Sequence, residues 1–324
     1  MLDLLYAQAV AARRRYYERH PQARRRLRQP VISVGNLSVG GTGKTPLVMA
    51  IAEWLRSRGE RPAVLSRGYG RRDRRDGVVV VSNGERVMAR CDEAGDEPVM
   101  IARAVPGVIV AVCEDRYLAG VVAERRLGAT VHVLDDGFQH VQLARDLDLL
   151  MTSAGEIAGG RVLPFGTLRE AASAAARADF VVVMDADVAA ARAEAWTLGI
   201  SQAAAARRVI PAASVSTPVF AICGLGKPQQ FFSLLRDGGY QVAGTREFAD
   251  HHLYTRRDLA GVADAARSCG ATLVVTTTKD IVRLEPLEPW AMPVVAVAMT
   301  LDFQGWDQLA AVVDQALARA REAA

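Results

Sequence analysis

Ser38-Val39-Gly40-Gly41-Thr42-Gly43-Lys44-Thr45 decides the fold; it follows Val31-Ile32-Ser33-Val34 and precedes Pro46-Leu47-Val48-Met49-Ala50-Ile51-Ala52-Glu53-Trp54-Leu55. A short apolar run, a glycine-rich turn closing on Gly-Lys-Thr and a helical stretch are the context of a phosphate-binding loop. Glycines let the backbone curve until several N–H groups converge on phosphate oxygens, and the helix N-terminus adds partial positive charge. Residues 38–45 are therefore expected to bind a nucleotide, with Lys44 at the β- and γ-phosphates and the Thr45 hydroxyl at Mg²⁺. Pro46 suits a first helical turn, which has no intrahelical use for the missing N–H. Ser38 stands where the usual pattern has Gly.

Composition sharpens the assignment. The chain has 40 basic residues, yet only Lys44, Lys227 and Lys279 are lysine. Arg serves wherever a surface cation suffices, and it cannot imitate the compact ammonium that sits between phosphates.

At 324 residues the chain has room for about two domains. It is 50% apolar and 23% charged, which supplies a folded core and argues against global disorder. Cys91, Cys113, Cys223 and Cys269 lie far apart, against a disulfide framework or zinc site and in keeping with a reducing cytosol. No apolar run approaches the ~18 residues of a membrane-spanning helix.

The net charge of +4 is unevenly placed. Residues 1–30 carry eight Arg against Asp3 and Glu18, a net +6, which leaves the body at −2. A mildly acidic body with a basic arm is not a nucleic-acid-coating protein. In the arm the apolar stretch precedes the positive charge, the reverse of a signal peptide. Two readings stand: an amphipathic helix on an anionic membrane surface, or a helix packing Leu4, Leu5 and Tyr16 on its own domain.

From residue 31 short β-branched runs alternate with helical stretches, which predicts a mostly parallel sheet with crossover helices. Expected strands are 31–34, 63–66, 108–112, 130–134, 148–151 and 180–184, with helices at 47–58, 97–104 and 116–127. Residues 78–88 read as a hairpin about Asn83-Gly84, an excursion from the sheet. Residues 187–210, rich in Ala and Arg, read as a helical connection. A second, smaller α/β unit is expected from near Thr217, with strands at 219–223, 272–276 and 294–297, helices at 229–236 and 259–268, and a closing helix at 306–320. The expected division is an arm at 1–30, a P-loop nucleotide-binding domain at 31–215 and a C-terminal α/β domain at 216–324.

Three further motifs carry chemistry. Val131-His132-Val133-Leu134-Asp135-Asp136 is an apolar strand ending in carboxylates, where P-loop enzymes hold Mg²⁺. Adjacent carboxylates must be kept apart or neutralised, which a cation does. Gly95-Asp96-Glu97-Pro98 opens a helix, and Asp96 or Glu97 could orient or deprotonate an attacking hydroxyl. Asp250-His251-His252 places two of the five histidines beside an acid.

Together these stretches resemble the tetraacyldisaccharide 4′-kinase family, the lipid A 4′-kinases of Gram-negative bacteria. The resemblance runs through Ser33-Val34-Gly35-Asn36-Leu37, Gly40-Gly41-Thr42-Gly43-Lys44-Thr45-Pro46 and Leu65-Ser66-Arg67-Gly68-Tyr69-Gly70. It continues in Gly95-Asp96-Glu97-Pro98, Asp135-Asp136-Gly137-Phe138-Gln139-His140, Leu163-Pro164-Phe165-Gly166-Thr167-Leu168-Arg169-Glu170, Asp250-His251-His252 and Thr277-Thr278-Lys279-Asp280. It implies a P-loop NTPase-like fold. It also implies ATP- and Mg²⁺-dependent phosphorylation of the 4′-hydroxyl of an acylated disaccharide 1-phosphate, giving lipid IVA.

By the same resemblance Asp96 is the general base, paired with a histidine of the second domain; His251 is preferred over the adjacent His252, and the sequence alone does not decide between them. Asp135 and Asp136 are the Mg²⁺-linked acids. Arg169 and Glu170 line the cleft, with His140 and His252 as further cleft candidates. The N-terminal helix implies peripheral attachment to the anionic cytoplasmic face of the inner membrane, with no nucleic-acid or obligate protein partner. Thr167 stands where the family commonly has Pro, and Thr278 where Glu is common. A partition-type or regulatory P-loop ATPase is the rival reading; such proteins typically carry a second lysine before the paired glycines, where this chain has Val39.

Overall fold

The computed structural model describes residues 2–40, 43–73 and 77–323, and of residues 2–5 only the backbone. Gly41 and Thr42 of the expected nucleotide loop, and the expected packing of Leu4 and Leu5, lie outside what is described. The chain runs α1 (Leu2–Arg19), β1 (Val31–Gly35), α2 (Lys44–Ser57), β2 (Pro62–Ser66), β3 (Val79–Asn83), α3 (Cys91–Ala94) and α4 (Asp96–Ala104). Next come β4 (Ile109–Val112), α5 (Arg116–Leu127), β5 (Val131–Asp135), β6 (Leu147–Ser153), β7 (Phe180–Met184), α6 (Val188–Leu198) and β8 (Ala203–Val209). It ends with β9 (Val219–Cys223), α7 (Pro228–Asp237), β10 (Val242–Glu247), α8 (Arg256–Ser268), β11 (Leu273–Thr277), α9 (Thr278–Leu284), β12 (Val294–Val297), β13 (Thr300–Gln304) and α10 (Trp306–Glu322).

Among the described residues these strands form two sheets, nine strands in the order β13-β8-β7-β6-β1-β5-β2-β4-β3 and four in the order β10-β9-β11-β12. The large sheet is parallel except at its edges, where β3 and β13 run antiparallel to their neighbours. Its central strands β1, β2, β5 and β7 are buried along their whole length, as a sheet covered by helices on both faces requires. Alternation sorts the side chains. Ile32, Val34, Val64 and Val110 pack with Leu47, Ile51 and Leu55 of α2 and Leu309 and Val313 of α10. Val31, Ala63, Leu65 and Ala111 point the other way, onto Ala119 and Ala123 of α5.

Three expectations are corrected. Residues 187–210 are not a helical connection throughout: α6 is followed by β8, whose alanines lie buried against the helix layer. Residues 79–83 are not an excursion, because β3 is the antiparallel edge of the large sheet. The 216–324 unit gives up its last two elements. Strand β13 pairs with β8 and α10 packs on the large sheet, since Leu301, Phe303, Leu309 and Val313 complete that core.

The arm also divides. Helix α1 turns Ala7, Val10, Ala11, Arg14 and Tyr17 partly inward, a spacing of one helical face. Tyr16 does not pack on the body; it is 52% exposed and stacks on His20. Beyond the helix the chain is stitched down: Leu27 is buried, Arg25 forks onto Asp115 at 2.6 and 2.7 Å, and Arg26 reaches Asp146 at 2.9 Å.

Candidate active site

The phosphate loop leaves the C-terminal end of β1 in the middle of the large sheet, the edge where open α/β sheets bind ligands. Gly40 (φ 124) and Gly43 (φ 90) adopt left-handed backbone angles closed to other residues without strain. The loop is braced from the side: the Val39 amide donates to the Thr167 carbonyl at 2.8 Å and the Arg169 amide to the Leu37 carbonyl at 2.6 Å. Thr167 contributes through its carbonyl, which a proline would also supply. Ser38 is buried, and its Oγ accepts from Asn36 Nδ2 at 3.3 Å.

Lys44, the first residue of α2, donates to Asn36 Oδ1 at 2.9 Å and faces Asp136 Oδ1 at 3.4 Å. Arg169 Nη1 donates to Asp136 Oδ2 at 2.7 Å. Burial alone would raise the Asp136 pKa, but Lys44 and Arg169 outweigh it and hold the carboxyl below the usual range. Asp136 is also one of three non-glycine described residues with positive φ, alongside Asp185 and His251. Such strain costs on the order of 1 kcal/mol and gathers at functional sites.

Asp135 differs. It is buried at the end of β5, and burial, then the charges of Glu97 and Asp136, push it up to about 7. Among the described residues no group of three or more His, Cys, Asp and Glu is arranged to hold a metal. Mg²⁺ needs no such cage: it is commonly bound through one or two carboxylates, water and substrate phosphates. A buried carboxylate short of positive charge beside a P-loop helix fits that donor set.

The second cluster spans the two sheets. Gly95 (φ 90) turns the chain into α4, where an added Cβ would lie 2.6 Å from the Tyr69 carbonyl. That turn delivers Asp96 into the interior. His251 Nδ1 lies 3.0 Å from Asp96 Oδ2, and Arg283 Nε 3.6 Å from the same oxygen. Burial would raise the Asp96 pKa, yet His251, Lys279 and Arg283 together hold it below the usual carboxylate value. The hydrogen bond to Asp96 raises the His251 pKa, against burial and Lys279. Lys279 Nζ sits 3.3 Å from His251 Nε2, 3.3 Å from Asp250 Oδ1 and 3.4 Å from Glu97 Oε1. Glu97 thus links the clusters, touching Lys279 and raising Asp135. Beside them opens a cleft of about 510 Å³ lined by Arg67, Tyr69, Arg71, Glu114, Asp250 and His251.

The other expected residues fall elsewhere. His252 stacks on Phe248 and meets Asp258 at 3.3 Å, bracing the start of α8. His140 is buried, its pKa pushed down to about 3 by burial and then by Arg116. Glu170 is a buried strut, accepting from Gln139 at 3.2 Å and Arg177 at 2.9 Å. It borders a second cavity of about 160 Å³, beneath α1.

The sequence assigned no site role to Asn36, nor to Arg116, which entered only as the start of the expected helix 116–127. Arg116 is buried at the head of α5, where burial and then Arg67 lower its pKa against the opposing charges of Asp136 and Asp135. Its place just past the end of a parallel strand was the available signal.

Asp280 anchors the second cluster. It is fully buried and accepts from the Tyr254 hydroxyl (2.9 Å), the Thr277 hydroxyl (2.6 Å), the Gly224 amide (3.1 Å) and Arg283 Nη2 (2.6 Å). Tyr254→Phe removes one donor from a buried acceptor and is expected to cost about 1–3 kcal/mol. A lowered urea midpoint at unchanged slope checks it.

The model of the family described as tetraacyldisaccharide-1-P 4′-kinase matches residues 1–318. The chain belongs to this family. Curated tetraacyldisaccharide 4′-kinases agree along their length. The one from Geobacter metallireducens is 39% identical, covering 98% of this chain and 97% of the relative. The one from Bradyrhizobium diazoefficiens is 41% identical, covering 90% and 86%. Among solved structures, an "apo" form of LpxK from Aquifex aeolicus in complex with ATP superposes with a TM-score of 0.79 at 30% identity. That match covers 98% of this chain and 97% of the other. The tetraacyldisaccharide 4′-kinase fold is thus shared from α1 through α10.

Proposed function

We propose that this chain transfers the γ-phosphoryl group of ATP to the 4′-hydroxyl of a tetraacyldisaccharide 1-phosphate, in lipid A synthesis, with Asp96 as the base. The reading is carried by one observation: a buried carboxylate, held ionised by His251, Lys279 and Arg283, linked through Glu97 to the acids beside the phosphate loop.

The loop backbone and Lys44 hold the phosphates, while Arg169 fixes Asp136 in its strained conformation. Asp96 Oδ2 is committed to His251. Oδ1 accepts the Glu97 amide at 3.0 Å and retains a lone pair for the hydroxyl proton. Thr45, Asp135 and Asp136 would hold Mg²⁺, which when bound neutralises charge on the phosphate oxygens. Phosphoryl transfer passes through a loose transition state, so positioning and charge neutralisation supply most of the acceleration.

The test is direct. Purified protein, Mg²⁺ and γ-labelled ATP with the tetraacyldisaccharide 1-phosphate in detergent micelles should place label on the lipid. ATP hydrolysis without labelled lipid would instead favour an ATPase.

A lipid acceptor requires access to a membrane surface. No helix among the described residues is long and apolar enough to cross a membrane. Arg15 and Arg19 are exposed on α1, whereas Arg25 and Arg26 are engaged with the body. The lipid-facing charge of the arm is therefore assigned to α1. Arg15→Ala with Arg19→Ala is expected to weaken binding to anionic vesicles by about 2 kcal/mol, roughly 30-fold, and less at high salt. Unchanged binding in vesicle sedimentation would remove α1 from this role.

A further inference from the structure

We propose that Lys279 is a positioning residue: by donating to Nε2 of His251 it fixes the ring with Nδ1–H on Asp96. The inference rests on the assignment of Asp96 and His251 to the reaction and adds a residue to it.

An ammonium has three N–H donors and no lone pair. Lys279 Nζ meets three acceptors, Asp250 Oδ1, Glu97 Oε1 and His251 Nε2, at 3.3 to 3.4 Å. Asp250 Oδ1 also faces Nε2, but at 3.8 Å it is beyond hydrogen-bond reach and is itself taken by Lys279, so in the neutral ring Nε2 accepts from the ammonium. A neutral imidazole carries one N–H, so the proton belongs on Nδ1, 3.0 Å from Asp96 Oδ2, and an ionised carboxylate can only accept. The opposite tautomer would aim Nε2–H at an ammonium and a bare Nδ1 at a carboxylate, two mismatches at once.

Lys279 is charged in this setting. Its side chain is 12% exposed; burial lowers its pKa, but Glu97, Asp96 and Asp250 outweigh burial and raise it. A planar guanidinium would not offer three donors in three directions from one atom.

The rest of the ring is held as well. His251 has φ 58, and Tyr69 packs edge-on with centroids 5.4 Å apart. Helix α9 presents Lys279 to the imidazole and, one turn on, Arg283 to the carboxylate. Thr277 caps that helix and the buried Asp280 anchors it. Mounting both cations on one anchored helix is how a site keeps sub-ångström geometry.

The experiment reads the ring directly. Protein with ¹⁵N-labelled histidine, at a pH above the imidazole titration, shows by two-bond ¹H–¹⁵N correlation which ring nitrogen is protonated; His251→Asn assigns the signal. The wild type should show Nδ1–H with bare Nε2. Lys279→Met should shift the signal toward Nε2–H and lower kcat on the order of 100-fold, with KM for ATP within about twofold.

A wild-type ring protonated on Nε2 overturns the proposal, whether or not the variant folds. An unchanged ring in folded Lys279→Met overturns it too. So does a raised KM for ATP at constant kcat, which would make Lys279 a phosphate contact. The Asp96 assignment fails separately, through full turnover in Asp96→Asn, and that result leaves the wild-type ring spectrum as it is.

Discussion

Lys44→Ala is expected to lower kcat by about a thousandfold while the protein melts close to wild type. The ammonium sits at the N-terminus of α2, 12% exposed, between Asn36 Oδ1 at 2.9 Å and Asp136 Oδ1 at 3.4 Å. Those contacts are modest supports for the resting fold, because Asp136 is 37% exposed and keeps its bond to Arg169. In the proposed reaction the same ammonium would face charge developing on the transferring phosphoryl group, where a fixed cation in a site sheltered from water is worth far more. Lys44→Arg should not restore the rate, since a fork of five donors does not occupy the place of a point charge. Single-turnover transfer from labelled ATP, with melting curves alongside, checks both parts. Turnover within a few-fold of wild type in Lys44→Ala would take the loop out of the chemistry.

The strand–loop–helix about Lys44 was legible because every signal in it is local. A β-branched run, glycines at the turn and helical spacing lie within 25 consecutive residues, 31–55, and their physics needs no distant partner. Helix α5 came out at its expected bounds, 116–127, for the same reason. Strand β8 did not. Its Ala-Ala-Ala-Ala-Arg-Arg-Val carries helix-forming residues, and only the packing of α6 against small side chains makes it a strand. Strand β13 offers two inward apolar residues, Leu301 and Phe303, too few to announce a return to a sheet whose other strands lie far away in sequence.

The site divides along the same line. The two acids ending β5 follow from a strand and its terminus. The pairing of Asp96 with His251 spans 155 residues, and nothing in composition or spacing joins them; the family resemblance did. Lys279 shows what even that leaves open. Its neighbour Thr278 departs from the family pattern, yet Lys279 reaches His251, Asp250 and Glu97. The geometry of α9 sets those contacts, and the identity of residue 278 does not.

Asp96→Asn tests the chemistry itself. The substitution keeps size but removes the charge and one acceptor oxygen: with the remaining oxygen on His251 Nδ1–H, the Glu97 amide in the first turn of α4 loses its acceptor, so melting curves accompany the rate measurement. Loss of a positioned general base costs about 10²- to 10⁴-fold in rate, and kcat should fall in that range. The pH behaviour follows from the pair. Asp96 titrates below its ordinary 3.8, so its contribution to stability is present above the unfolded value and lost as pH falls through the folded one. His251 titrates above its ordinary 6.5, so its contribution is present below that value and lost as pH rises through the folded one. The ion pair is complete between those limits, and the Asp96 carboxylate is ionised throughout neutral pH. In Asp96→Asn the hydrogen bond that is the largest cause of the His251 shift loses its charge assistance and the Asp96 charge is gone, so the histidine titration, followed by NMR, should move down toward 6.5 or below. A variant that keeps its turnover while the histidine titration falls would show that the pair is structural, and the search for the base would move to Glu97.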